Sequence, residues 1–258
     1  MKNQYFGDIN DYRKYGLLRT LRDETGLRLG VWWMLTPDDG REDGRFVAYL
    51  SDPHRWRSFD PPLFDLLAAA VPAERRVSVI AESGLLGDAL FVDAVVPDNL
   101  SARTSSFALV HEHLRAAELL FVDPDNGLEI PSCPPGRKDS SKYVRLRELA
   151  AIYTRGQSIV VYQHLRREER RAFISRTSAA LRAATGALEV FCFRTSHVAF
   201  FLVAHATHAL LLKAATRHVR EVWGDQIRPW PDLDVGKTVA EDERMSSWYR
   251  RATRPRSF

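Results

Sequence analysis

The chain has 258 residues, 45% of them hydrophobic and 27% charged, with a net charge of +4 and only two cysteines, Cys133 and Cys192. That composition suits a globular protein with a sizeable core, and it excludes a disulfide framework or a cysteine-built zinc site. No apolar run reaches the roughly 18 residues of a membrane span, and the opening MKNQYFGDINDYRKYG has no apolar leader, so a cytoplasmic protein is expected.

The segment DYRKYGLLRTLRDETG carries apolar residues at helical spacing with a glycine past its end, which predicts a helix. LRLGVWWML follows as a strand, stopped by the turn-forming TPDDGREDG. DPPLFDLLAAAV predicts a helix opened by proline, RRVSVIAE a strand running into Glu82, SSFALVHEHLRAA a helix and ELLFVD a strand. After a Pro/Gly/Lys-rich loop, SSKYVRLRELAAIYTRG predicts a helix from its serines onward. QSIVVYQHL predicts a strand and REERRAFISRTSAALRAATG a helix closed by glycine. ALEVFCFRTS and HVAFFLVAH are adjacent strands able to pair as a hairpin, and THALLLKAATRHVREVWG is a last helix.

Strands alternating with helices imply βαβ units. Short, continuously apolar strands imply a sheet covered on both faces. The expected fold is therefore α/β: a doubly wound, mostly parallel, Rossmann-like sheet with an antiparallel edge hairpin. One domain would span residues 1–225, followed by a basic C-terminal tail over 226–258.

Ligands of such sheets bind beyond the carboxyl ends of the strands. The most informative end is LLFVDPDNGLEI, residues 119–130. An Asn-Gly turn accounts for Asn126 and Gly127. It leaves Asp123, Asp125 and Glu129 concentrated at one strand end, where like charges need a cation, a donor or a proton to offset them. Metal binding, general-base chemistry and acceptance of a substrate amine all fit that pattern. VVYQHLRREERR supplies Tyr162, Gln163 and His164 at the next strand end, with Arg166 opening the following helix. Asp8, Asp11 and Lys14 fall on or near the first helix, and the i, i+3 spacing of Asp11 and Lys14 puts them on one face. Lys142 flanks a predicted helix start, a place where backbone N–H groups favour anions. No Walker loop, GxGxxG, G-x-S-x-G or H-E-x-x-H motif is present.

GDINDYRKYGLLRTL, then VWWMLTPDDGREDGRF, then FVDPDNGLE, then LEVFCFRTSHVAFFLV resemble, in order, elements of the large-subunit ribosomal RNA adenine-N6 methyltransferase family. Its members open on a helix with an Asp/Lys motif and carry D-P-P-Y at the end of the fourth strand. Here the last two motif positions are Asp125 and Asn126. The resemblance implies a methyltransferase-like fold, S-adenosylmethionine as cofactor and a flipped-out base as substrate. Asp123, beside Pro124, would accept hydrogen bonds from the base amine. Asp11, Lys14, Asp39 and Gly40 would lie near the cofactor, and Tyr162 would supply an aromatic ring to the substrate.

The catalytic candidates are thus Asp123, Asp125, Asn126, Glu129 and His164. The substrate-binding candidates are Tyr162, Gln163, Arg166 and Lys142. The expected partner is nucleic acid, contacted through arginine-rich segments, with no membrane. Two other readings use the same residues. In one, a nuclease or phosphoesterase holds Mg²⁺ on Asp123, Asp125 and Glu129. In the other, the fold is a non-catalytic nucleic-acid-binding module.

Overall fold

The computed structural model describes residues 1–38, 40, 44–224 and 226–230. In chain order its elements are α1 (Ile9–Thr25), β1 (Leu29–Trp32), α2 (Pro53–Trp56), α3 (Pro61–Ala70), α4 (Ser78–Glu82), β2 (Leu90–Val92), α5 (Leu100–His113), β3 (Leu119–Val122) and β4 (Gly127–Leu128). There follow β5 (Tyr143–Val144), α6 (Leu146–Thr154), β6 (Ser158–His164), α7 (Arg170–Thr185), β7 (Glu189–Arg194), β8 (Val198–Ala204), α8 (Ala209–Trp223) and β9 (Arg228–Trp230).

Among the described residues the main sheet has seven strands in the order β2-β1-β3-β6-β8-β7-β9. The first four are mutually parallel. β8 runs antiparallel to β6, β7 antiparallel to β8, and β9 antiparallel to β7. β4 and β5 form a small separate parallel pair. This is the doubly wound α/β architecture expected from the sequence. The chain steps outward from β1 to β2, then returns to place β3 on the other side of β1. The β1/β3 boundary is therefore a topological switch point, where a crevice opens.

Successive strand residues feed opposite faces. Leu29, Val31, Leu119, Phe121, Val160 and Phe200 pack under α1, α3 and α8. Trp32, Leu120, Val122, Ile159, Val161 and Phe201 pack under α5, α6 and α7. On the first face α1 and α8 approach closely because α1 carries Gly16. A Cβ there would overlap the Trp223 ring, whose Nε1 donates to Thr20 Oγ1 at 3.1 Å.

Four expectations change in detail. RRVSVIAE folds as the short helix α4, and the second strand is LFV at 90–92; a continuous apolar run of this length does not by itself separate buried helix from buried strand. Its carboxyl end is therefore not followed by Glu82, which closes α4. The helix expected from Ser140 onward begins at Leu146, because Tyr143–Val144 pair with Gly127–Leu128 instead. The β7–β8 hairpin forms as expected, but β8 lies inside the sheet against β6, and β9 is the outermost strand at that end. β9 extends the sheet into the segment expected as a basic tail; residues 231–258 lie outside the described residues. Among the described residues no helix is long and apolar enough to cross a membrane.

Candidate functional site

The site is built where α1 meets the end of β3. Asp8 caps α1, its Oδ1 accepting from the N–H groups of Asn10 at 2.7 Å and Asp11 at 3.0 Å. One turn on, Lys14 extends beneath the helix and is 1% exposed. Its Nζ lies 2.6 Å from Asp11 Oδ1 and 2.7 Å from Asp123 Oδ2, over the Tyr15 and Phe121 rings. Asp123 continues the β3 ladder by donating its N–H to Trp32 O at 3.0 Å. Burial beside two carboxylates is tolerable for an ammonium only because both are present. Their field outweighs desolvation and raises the Lys14 pKa well above that of a free lysine.

These residues line a cavity of about 630 Å³ at the carboxyl ends of β3 and β6. Asp8, Asp11, Asp123 and Asp125 give it an acidic floor; Tyr5, Phe46, Trp56 and Tyr162 give it aromatic walls. His164 and Lys142 lie along it, with His197 from the β7–β8 turn. Desolvation pushes the Asp8 carboxyl up to about 7, with the charge of Asp11 adding to the effect. Asp11 is also raised, by burial, against the opposing pull of Lys14. Desolvation raises the Tyr162 phenol and lowers the His164 imidazole, although His164 as a whole residue is exposed. Both therefore stay neutral near pH 7.

The sequence candidates divide. Asp11, Lys14, Asp123, Asp125, Asn126, Lys142, Tyr162 and His164 all reach the cavity. Asp125 sits 3.9 Å from Lys2 Nζ and 3.8 Å from the Met1 nitrogen, and Lys142 pairs with Asp139 at 3.0 Å. Glu129 and Gln163 are absent from the lining and do structural work. Glu129 Oε1 accepts from the Leu146 N–H at 2.8 Å and so serves the start of α6. Gln163 Oε1 accepts from the Leu128 N–H at 2.8 Å, and its Nε2 donates to His164 O at 2.9 Å. That amide packs on Gly127, whose φ of +102° and lack of a side chain let the loop cross it. Arg166 is exposed and outside the lining. Gly40 is exposed, with open space where a side chain would be. Asp39 lies outside the described residues.

The geometry thus separates Glu129 from Asp123 and Asp125, and among the described residues no group of three His, Cys, Asp or Glu is placed to hold a metal ion. Sequence reasoning missed Tyr5, Phe46, Trp56 and His197, which arrive from loops and short helices remote in sequence and carried no motif. It also missed the clamp behind the site. Arg103, 1% exposed, donates to Glu148 Oε1 and Oε2, each at 2.7 Å, and to the carbonyls of Ser140 and Tyr143. This fixes the segment that delivers Lys142. Neither a protein-family model nor a curated protein matches this sequence.

Proposed function

We propose that this protein is a methyltransferase of the S-adenosylmethionine-dependent type, acting on an amino group of a nucleic-acid base. The observation that carries the reading is the ion-paired Asp11–Lys14–Asp123 triangle. It joins the motif of the N-terminal helix to the motif at the end of β3 in one buried site, two of the four stretches that carry the resemblance.

The residues present suit such a cofactor in room and charge. About 630 Å³ at a switch point lies within the ~300–1,000 Å³ usual for small-molecule sites. Asp11 and Asp125 are suited to a ligand that carries both a sulfonium and an ammonium. When bound, the cofactor supplies an electrophilic methyl group. Asp11 and Lys14 would hold it. Asp123 keeps Oδ2 on Lys14, while Oδ1 takes no hydrogen bond from a described residue and is available to a substrate amine. With the Pro124 carbonyl it would orient the nitrogen lone pair. Tyr5, Phe46, Trp56 and Tyr162 offer faces on which an extruded base can stack, which substitutes for the aromatic residue that Asn126 does not provide. Exposed arginines at 166, 167, 170 and 171 flank the end of β6 and suit phosphate contacts.

The Mg²⁺-dependent reading has less support, because Glu129 is committed to α6 and Asp123 to Lys14. Calorimetric titration with S-adenosylmethionine, first in EDTA and then in Mg²⁺, tests the proposal. Binding in EDTA, followed by methyl incorporation into RNA or DNA, is the expected result. Phe46→Ala, at a residue 70% exposed on the cavity rim, should weaken nucleic-acid substrate without loss of fold. Heat only with Mg²⁺ would move the assignment to a phosphoesterase, and no heat in either buffer would move it to a binding module.

A further inference from the structure

We propose that Asp8 is the proton acceptor of this cavity, taking the proton that a substrate amine must lose. The inference rests on the methyl-transfer reading and adds to it a residue with a distinct chemical task.

Asp8 lines the cavity while being only 8% exposed. Its two oxygens are used unequally. Oδ1 takes both cap hydrogen bonds from Asn10 and Asp11, whereas Oδ2 takes none from a described residue. Every other buried carboxylate here is tied to a cation: Asp11 and Asp123 to Lys14, and Asp125 to Lys2. Asp8 has no ion-pair partner within 4.0 Å among the described residues, and its neighbour Asp11 carries the same sign. The groups acting on it come from several elements: Asp11, Arg13 and Lys14 on α1, Tyr49 from the following loop region, Arg75 after α3, and Tyr162 on β6. Burial and Asp11 dominate that set, which leaves Asp8 titrating near neutrality. A base is most effective when its pKa lies near the working pH.

The proton balance calls for such a group. As the amine lone pair forms the new N–C bond, the C–S bond breaks and its electron pair remains on sulfur. The nitrogen becomes a cationic secondary ammonium. Its N–H bond then breaks, the electron pair stays on nitrogen, and the proton passes to Asp8 Oδ2. Transfer from a cation to a carboxylate removes two charges from a poorly solvated cavity. Transfer to the neutral imidazole of His164 would only relocate one.

Two measurements on the full chain test this. Asparagine caps a helix as well as aspartate does, so Asp8→Asn keeps the Oδ1 bonds and removes only the acid–base function. In the wild type, the aspartate ¹³Cγ signal that is missing from Asp8→Asn should titrate with a midpoint of about 7. A midpoint below about 5, in the ordinary aspartate range, overturns the proposal. In single-turnover methyl transfer, Asp8→Asn should lower the rate about 100-fold and abolish the acid limb of the pH profile. A rate within twofold of wild type across that profile overturns it as well. A wild type that transfers no methyl group refutes the functional reading instead, and the ¹³C midpoint still decides whether Asp8 can accept a proton near neutrality.

Discussion

Lys14 Nζ lies 2.7 Å from Asp123 Oδ2, across 109 positions of sequence, with both side chains almost wholly buried. A pair of this kind does not stabilise the fold much against a well-packed apolar alternative, but breaking it leaves a buried charge without a partner. Lys14→Met should therefore lower stability by about 3–5 kcal/mol, since it strands both Asp11 and Asp123. Adding Asp11→Asn and Asp123→Asn to Lys14→Met should recover much of that loss. Urea unfolding of the series measures the coupling, and additive losses would show that the charges do not act as a unit.

Asp8 gives a pH dependence with a defined sign. Its folded-state pKa, about 7, lies above the ordinary aspartate value, so between those two values the native state binds more protons than the unfolded chain. Its contribution to stability is complete at low pH and is lost as pH rises through about 7. Asp8→Asn should therefore be more stable than wild type at pH 8, by about 0.5–2 kcal/mol, as is common when a functional residue is held in an unfavourable setting. For a domain of this size that is a rise in Tm of about 2–4 °C per kcal/mol. The difference should shrink steadily as pH falls below about 7 and vanish only near pH 4, where the unfolded chain is protonated as well, and equal Tm values for the two proteins at pH 8 and at pH 4 would contradict the assignment.

Glu129 and Asp123 should separate cleanly. Glu129→Ala removes the acceptor of the Leu146 N–H, and should cost about 0.5–2 kcal/mol as a lost helix cap while leaving ligand binding intact. Asp123→Asn should abolish methyl transfer. A Glu129→Ala variant that folds normally but loses all binding would return Glu129 to the site and revive the three-carboxylate reading.

Gly16→Ala sets local preference against packing. Alanine favours a helix interior over glycine by about 1 kcal/mol. Its methyl group would nevertheless meet the Trp223 ring where α8 crosses α1. The expected net effect is destabilisation by about 1–3 kcal/mol with a changed tryptophan emission. A stabilised variant would show that α8 can shift at little cost.

The sequence by itself determined the alternation of helix and strand, and with it the covered parallel sheet, because continuous apolar runs such as LLFV and SIVV are stable only between two helical layers. It also determined that α1 would close at Gly26 and α7 at Gly186, where φ is +69° and +76°, and that charge would gather at the end of β3. All of these follow from neighbours within a few residues. Tertiary structure decided what those charges do. Whether Asp123 faces a metal, a proton or an ammonium depends on Lys14, which only the packing of α1 over β3 delivers. Glu129 stands six residues from Asp123 yet points to α6, because β4 pairs with β5 and turns the chain away. The short apolar segments 77–82 and 90–92 became helix and strand for the same reason. Local preference left both states open, and the free edge of β1 was the place where a strand could complete its backbone hydrogen bonds.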